Sequence, residues 1–430
     1  MKNAAENVRA NTKITKKDRD ISLDAVKGFA ILLVMLGHCI VLNGLADPFL
    51  YDAIAAVQMP LFMAVSGYLA GLHQSTSGQK PDLKKRIRTF GKRSVTYLVP
   101  FFTWMIIVSF PHCLQELKTE LFHLDYGLWF LATLWIITLV HTVAAYLADY
   151  AAYTIRCGGV KPADNMDCRA VGTMSSRIKA IRFLAYCMLI FICYAVFFLQ
   201  ARGGNTFLSP SLTVRYLPFF VAAYLVSYDV IPYLRKRKNR EADDELVSEQ
   251  GAYITEKNEI KKEILTENDD IIQEKKLDPN KYVISNILCM ICAFIFIYLV
   301  CAYDMVVVTD TTTLMAQMLA SFLGVYVCFY GVAHFCKGWL QRALAYIGQY
   351  TLEIYVLHFR FARILGLSDK NLKLFHPDTV LWILASFVLM SILTAVFISA
   401  LKQLWITDLL CFGKIRSRRK KQTSQEAEIP

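Results

Sequence analysis

Charge is scarce in this chain: only 19 % of its 430 residues are Asp, Glu, Lys or Arg, against 55 % hydrophobic, and the mean hydropathy is +0.38. A soluble domain ordinarily carries about a quarter charged residues, so the balance argues against a soluble enzyme and for a membrane protein. The signatures of familiar soluble chemistry are missing as well. There is no G-x-x-x-x-G-K-[ST] phosphate loop, no G-x-G-x-x-G, no H-E-x-x-H, no G-x-S-x-G, and no His followed by Asp at the fifth position. Nucleotide-binding folds, zinc proteases and serine hydrolases are set aside on that ground. The twelve cysteines are scattered, mostly inside apolar runs, and read as small buried hydrophobes, so no metal site is expected. Cys157 and Cys168 fall in an expected cytoplasmic loop, where thiols stay reduced.

What the chain has in quantity is apolar sequence of membrane length. A helix needs about 20 mostly apolar residues to cross roughly 30 Å of hydrocarbon. Such runs lie near residues 24–44, 53–72, 94–111, 126–148, 182–200, 213–231, 283–302, 313–336, 343–360 and 379–401, which predicts an all-α integral membrane protein of about ten transmembrane helices. The segments between them test that count through the excess of Lys and Arg on the cytoplasmic side. With the first segment inside, residues 1–23, 73–93, 149–182, 230–282, 337–342 and 402–430 hold 6, 7, 6, 11, 2 and 7 cations, or 39 of 47. The opposite connections hold six, and four of these are Arg360, Arg363, Lys370 and Lys373. Both termini are therefore expected in the cytoplasm, with the chain multi-pass in the cell (plasma or inner) membrane. The formal net charge of +12 is absorbed by this asymmetry. Its counterpart is anionic lipid, and no nucleic-acid partner is needed.

The hydrophilic first twenty residues and the lack of an A-x-A site lead us to expect no cleaved signal peptide. Residues 1–23 then form a cytoplasmic segment, and 24–401 a single membrane domain. A charged, mixed-sign insert at 235–281 separates the sixth and seventh helices and reads as a solvated cytoplasmic linker. Residues 402–430 form a basic tail.

Polar residues inside apolar runs are costly and so mark candidate function. Lys27 and His38 stand eleven positions apart, close to three helical turns, on one face of the first helix and about 16 Å apart along it. Asp24 lies one turn before Lys27, so an interfacial ion pair competes with a functional reading of that lysine. A histidine that titrates near neutrality is the commonest general base. His358 and Glu353 lie in the ninth run, with His358 expected at a depth similar to that of His38. Ser66 sits in the second run beside Gly67, where small residues also favour close helix packing. Trp129 lies where an interfacial aromatic belt is expected. Arg86, Arg88 and Arg93 precede the third run and are candidates for binding donor phosphates.

Four segments in order, LDAVKGFAILLVMLGH, MPLFMAVSGYL, GLWFLATLW and IGQYTLEIYVLH, resemble the acyltransferase family 3 membrane proteins, especially the polysaccharide and fucose O-acetylase-like branch. The resemblance spans residues 20–402. It implies about ten membrane helices and transfer of an acyl group, usually acetyl from cytoplasmic acetyl-CoA (a co-substrate, with no bound cofactor), to a hydroxyl of a glycan or lipid-linked saccharide. The family's basic residue followed by ten positions and a His falls on Lys27 and His38, the implied catalytic pair. The sequence departs from the family pattern in two places. Gln58 stands where many relatives have a His, and Arg93 is followed at position 96 by Thr rather than by a second Arg. The competing expectation is a transporter or exporter that uses the same fold without acyl transfer.

Overall fold

The computed structural model describes residues 20–44, 48–72, 80–122, 127–157, 176–231, 279–363, 365 and 377–414. Most of the insert expected at 235–281, most of the tail, and the segment around Cys168 lie outside them. The described residues are helical, with no β-strand among them. In chain order the helices are α1 (Ile21–Val41), α2 (Pro48–Leu72), α3 (Leu83–Ser109), α4 (Cys113–Phe122), α5 (Trp129–Arg156), α6 (Ser176–Arg202) and α7 (Pro210–Leu225), which runs into a π-helical turn at Val226–Val230. There follow α8 (Pro279–Ala302), α9 (Thr311–Phe335), α10 (Trp339–Gly348), α11 (Thr351–Phe361), α12 (Pro377–Leu401) and α13 (Trp405–Phe412).

Seven of these helices, α1, α2, α5, α6, α8, α9 and α12, are long and apolar enough to cross a membrane. They divide by burial. In α1, α2 and α5, 61 % of the apolar window is buried, against 11 %, 17 % and 28 % in α6, α8 and α12. The first three therefore form the interior, and the others turn apolar faces such as Phe191, Phe294 and Leu381 outward, as lipid contact requires.

The other three expected spans are built differently. α3 begins at Leu83, eleven residues before the expected run, because Asp82 caps it by accepting the Lys85 N–H at 3.0 Å. Its first half is thus the cationic stretch and its second half the apolar one. α7 starts with Pro210 in its first turn, and the π turn extends it to Val230. The ninth run, expected as one helix over 343–360, is broken after Gly348 into α10 and α11. The break follows from close packing on α1. A Cβ added at Gly28 would lie 1.9 Å from the Leu344 carbonyl oxygen, and one at Gly348 would lie 1.9 Å from that of Asp24. The two backbones touch, and the chain then needs a two-residue turn at Gln349–Tyr350 to continue. A second contact of this kind joins α2 to α7, where a Cβ on Gly67 would lie 2.0 Å from the Phe220 carbonyl oxygen.

The largest apolar cluster gathers Ile31, Met63, Phe130, Ile137, Tyr186, Phe220 and Val356 from α1, α2, α5, α6, α7 and α11. A second, with Ala30, Leu61, Ala320 and Leu344, binds α1 and α2 to α9 and α10. α1 and α2 belong to both. Cys289 and Cys292 have a C-x-x-C spacing on apolar α8, and among the described residues no group of three or more His, Cys, Asp or Glu side chains could hold a metal ion.

Candidate active site

The end of α1 at which His38 lies borders a cavity of about 420 Å³. Its walls come from α1 (Val34, His38), α2 (Tyr51, Ala55, Gln58, Met59), the start of α5 (Trp129), α7 (Arg215, Tyr216), the α8–α9 connection (Met305, Val306) and α11 (Tyr355, His358, Arg360). Helices of opposite direction thus bring residues far apart in sequence to one end of the bundle. The volume suits a small ligand, and the lining of aromatic and apolar walls with a few polar groups is that of a binding site.

His38 and His358 meet there, with ring centroids 5.2 Å apart and the planes inclined by 41°. The edge of Phe359 also packs on His38 at 5.2 Å. His358 is 1 % exposed, and its Nδ1 lies 2.8 Å from the Ile354 carbonyl oxygen one turn earlier. A carbonyl only accepts, so Nδ1 carries the proton, and in the neutral ring Nε2 holds a lone pair. That Nε2 is buried without a partner, as are Nδ1 of half-buried His38 and Oε1 of Gln58. A buried polar atom without a partner costs about 1–3 kcal/mol. Three of them around one cavity mark a place where a polar ligand completes the hydrogen bonding.

The remaining sequence-predicted residues divide. Trp129 lines the cavity, where it stacks on Tyr216 at 5.5 Å. Lys27 does not reach the cavity. Its Nζ donates to Asp24 Oδ1 at 2.7 Å near the opposite end of α1, the ion pair anticipated from spacing. Ser66 does not line the cavity either; its neighbour Gly67 makes the α2–α7 contact. Glu353 is fully buried on another side of α11, where it accepts from Lys402 at 2.9 Å and from Lys414. Burial opposes the Lys402 charge, but the hydrogen bond and charge of Glu353 hold its ammonium above its ordinary value. Glu353 therefore ties the chain beyond α12 and α13 to α11, and does not touch the histidines. Arg86 pairs with Asp149 of α5, Arg88 is exposed and Arg93 is half-buried.

The Arg86 contact belongs to a buried network away from the cavity. Arg182 of α6, 2 % exposed, donates to Asp149 at 2.6 Å and to the Tyr224 hydroxyl at 2.6 Å. It lies 3.6 Å from Asp229 in the π turn, and its guanidinium stands 3.8 Å over the Tyr228 ring. His141 adds a contact to the Tyr186 hydroxyl at 3.0 Å. Two arginines and two aspartates from α3, α5, α6 and the π turn thereby balance in charge.

Sequence reasoning passed over Arg215 and the Arg182 network. Arg215 is a lone cation in PSLTVRYLPFFVAAYL, and counting charges within runs as well as between them would have found it. His141 of the network carries the same signal as His38, a histidine inside an apolar run, while Arg86, Asp149, Arg182 and Asp229 lie at or beyond run ends where loop charge is expected.

Comparison with known proteins agrees with the motifs. An acyltransferase domain model, that of the acyltransferase 3 family, matches residues 20–400. The chain is 37 % identical over 109 residues to nodulation protein NolL of Sinorhizobium fredii, covering 24 % of this chain and 27 % of that one. It is 29 % identical over 150 residues to nodulation protein NolL of Mesorhizobium japonicum, covering 29 % of this chain and 38 % of that one. The matched regions are thus well under half of either relative. No solved structure matches. The family model covers nearly the whole described bundle, and the chain belongs to the acyltransferase 3 family.

Proposed function

We propose that the protein is a membrane O-acyltransferase that moves an acyl group, acetyl from acetyl-CoA, to a hydroxyl of a cell-surface glycan or lipid-linked saccharide. The observation that carries this reading is the pair of histidines facing one cavity, with His358 Nε2 left as a bare acceptor. In the reaction, His38 takes the proton of the acceptor hydroxyl as its oxygen bonds to the acyl carbon. The C–S bond breaks, and the departing thiolate takes up the proton. His358 Nε2 accepts a hydrogen bond from a second hydroxyl of the acceptor and holds the reacting one in place. His38 acting instead as a transient acyl carrier would use the same geometry. Gln58, where many relatives by resemblance have a His, lines the same space and offers an amide rather than a third imidazole.

The chain then crosses the cell membrane ten times with both termini inside. α3, α7 with its π turn, and the α10–α11 pair complete the seven long apolar helices. Parity supports this: the ends of helices lining the cavity all belong to connections expected outside. The donor approaches from the cytoplasm, with Arg88 and Arg93 meeting its phosphates and the Lys27–Asp24 pair lying on the inner half of α1. Purified protein incubated with labelled acetyl-CoA and candidate glycans tests the assignment. Labelled acceptor is the expected product, whereas solute uptake without donor consumption would favour the transport reading.

A further inference from the structure

The cavity's charged groups are unbalanced. Arg215 and Arg360 line it, and no Asp or Glu does so among the described residues. Half-buried Arg215 spends one N–H on the Met305 carbonyl oxygen at 2.9 Å. That contact aims the guanidinium without neutralising it, and most of its five donors remain. The carboxylates nearby keep their charge but do not line the cavity, and each accepts from the main chain. Asp52 accepts the Met305 backbone N–H, and Asp304 accepts those of Val306 and Val307 at 2.7 and 2.8 Å. Neither is ion-paired with Arg215 or Arg360. Arg360 also runs against the distribution of cations along the chain, being one of the few on connections expected outside. A cation at membrane depth faces a cavity, a partner or backbone carbonyls, and a cavity that presents two cations suits an anion: half-buried Arg215 meets the Met305 carbonyl, and exposed Arg360 stands in the last turn of α11. Both flank the face that holds His358 and Trp129.

We infer that the acceptor is anionic: a saccharide bearing a carboxylate or phosphate, gripped by Arg215 and Arg360 so that a neighbouring hydroxyl falls between His38 and His358. Guanidinium groups bind such oxyanions through paired hydrogen bonds, and an apolar wall focuses their field. The stacked Trp129–Tyr216 pair supplies a flat surface for the sugar ring. This assignment of substrate class rests on the acyltransferase reading, but its test does not require the donor.

The test is a binding titration of the full chain in neutral detergent, followed by thermal unfolding. Methyl glucuronide, its uncharged methyl ester and glucose 1-phosphate serve as probes, with phosphatidylglycerol as a lipid control. Either anion should bind roughly tenfold or more tightly than the ester. Arg215→Gln and Arg360→Gln should each erase most of that preference, and Arg360→Lys should restore part of it. Equal binding of acid and ester, no binding of either anion, or a preference that survives both substitutions would overturn the inference. So would a response to phosphatidylglycerol alone. With acetyl-CoA added, transfer to neutral sugars without charge preference would sink this inference and leave the acyltransferase reading standing. Charge-selective binding without any transfer would do the reverse.

Discussion

At His358 the main chain, not a carboxylate, sets the ring: Nδ1 is committed to Ile354 and the free lone pair is on Nε2. His38 has no such anchor on Nδ1, so its tautomer is left for a bound ligand to set. The arginines before the third apolar run separate in the same residue-level way. Arg86 contacts Asp149, so Arg86→Ala should lower thermal stability because it removes a member of a buried network. Arg88→Ala and Arg93→Ala should instead raise the KM for acetyl-CoA, and the exposed position of Arg88 should leave the unfolding temperature of Arg88→Ala unchanged. Unfolding curves and donor kinetics on the three variants check this. An unchanged KM in both of the latter would remove them from the donor site.

The elements explain what was legible in the sequence. Apolar length in the sequence located α1, α2, α5, α6, α8, α9 and α12, the seven helices long and apolar enough to cross a membrane, because lipid imposes that length on any spanning helix. His38 and His358 were legible because a histidine in an apolar run is uncommon. The α10–α11 break is not read from the run, although Gly348, Gln349 and Thr351 interrupt it, because the break arises from backbone contact with α1. The place of Trp129 rests on depth alone, and depth does not say which neighbour a side chain meets. A Gly348→Ala or Gly28→Ala substitution should cost about 1–3 kcal/mol by forcing the helices apart. It should also reduce any activity, because α11 carries His358 on the far side of the break. Thermal unfolding of each variant measures the first effect; wild-type stability in both would contradict the close packing. Arg182→Ala should cost about 3–5 kcal/mol, because Asp149 and Asp229 would lose their shared cation. Adding Asp149→Asn should recover part of the loss, and a simple sum of the two costs would contradict a coupled network.

On the scale of the whole molecule, the bundle has a polar cavity at one end and a charge-balanced network away from it, with α1 and α2 packed through both apolar clusters between the lipid-facing helices. The central question for the molecule is whether the cavity performs transfer. The most direct measurement is the rate of labelled acetyl transfer from acetyl-CoA to a glycan acceptor by reconstituted wild-type protein and by a His38→Ala variant of matched unfolding temperature. A general base contributes roughly 10²–10⁴ in rate, so the variant should lose about that much or more. Transfer by His38→Ala at the wild-type rate would contradict the account.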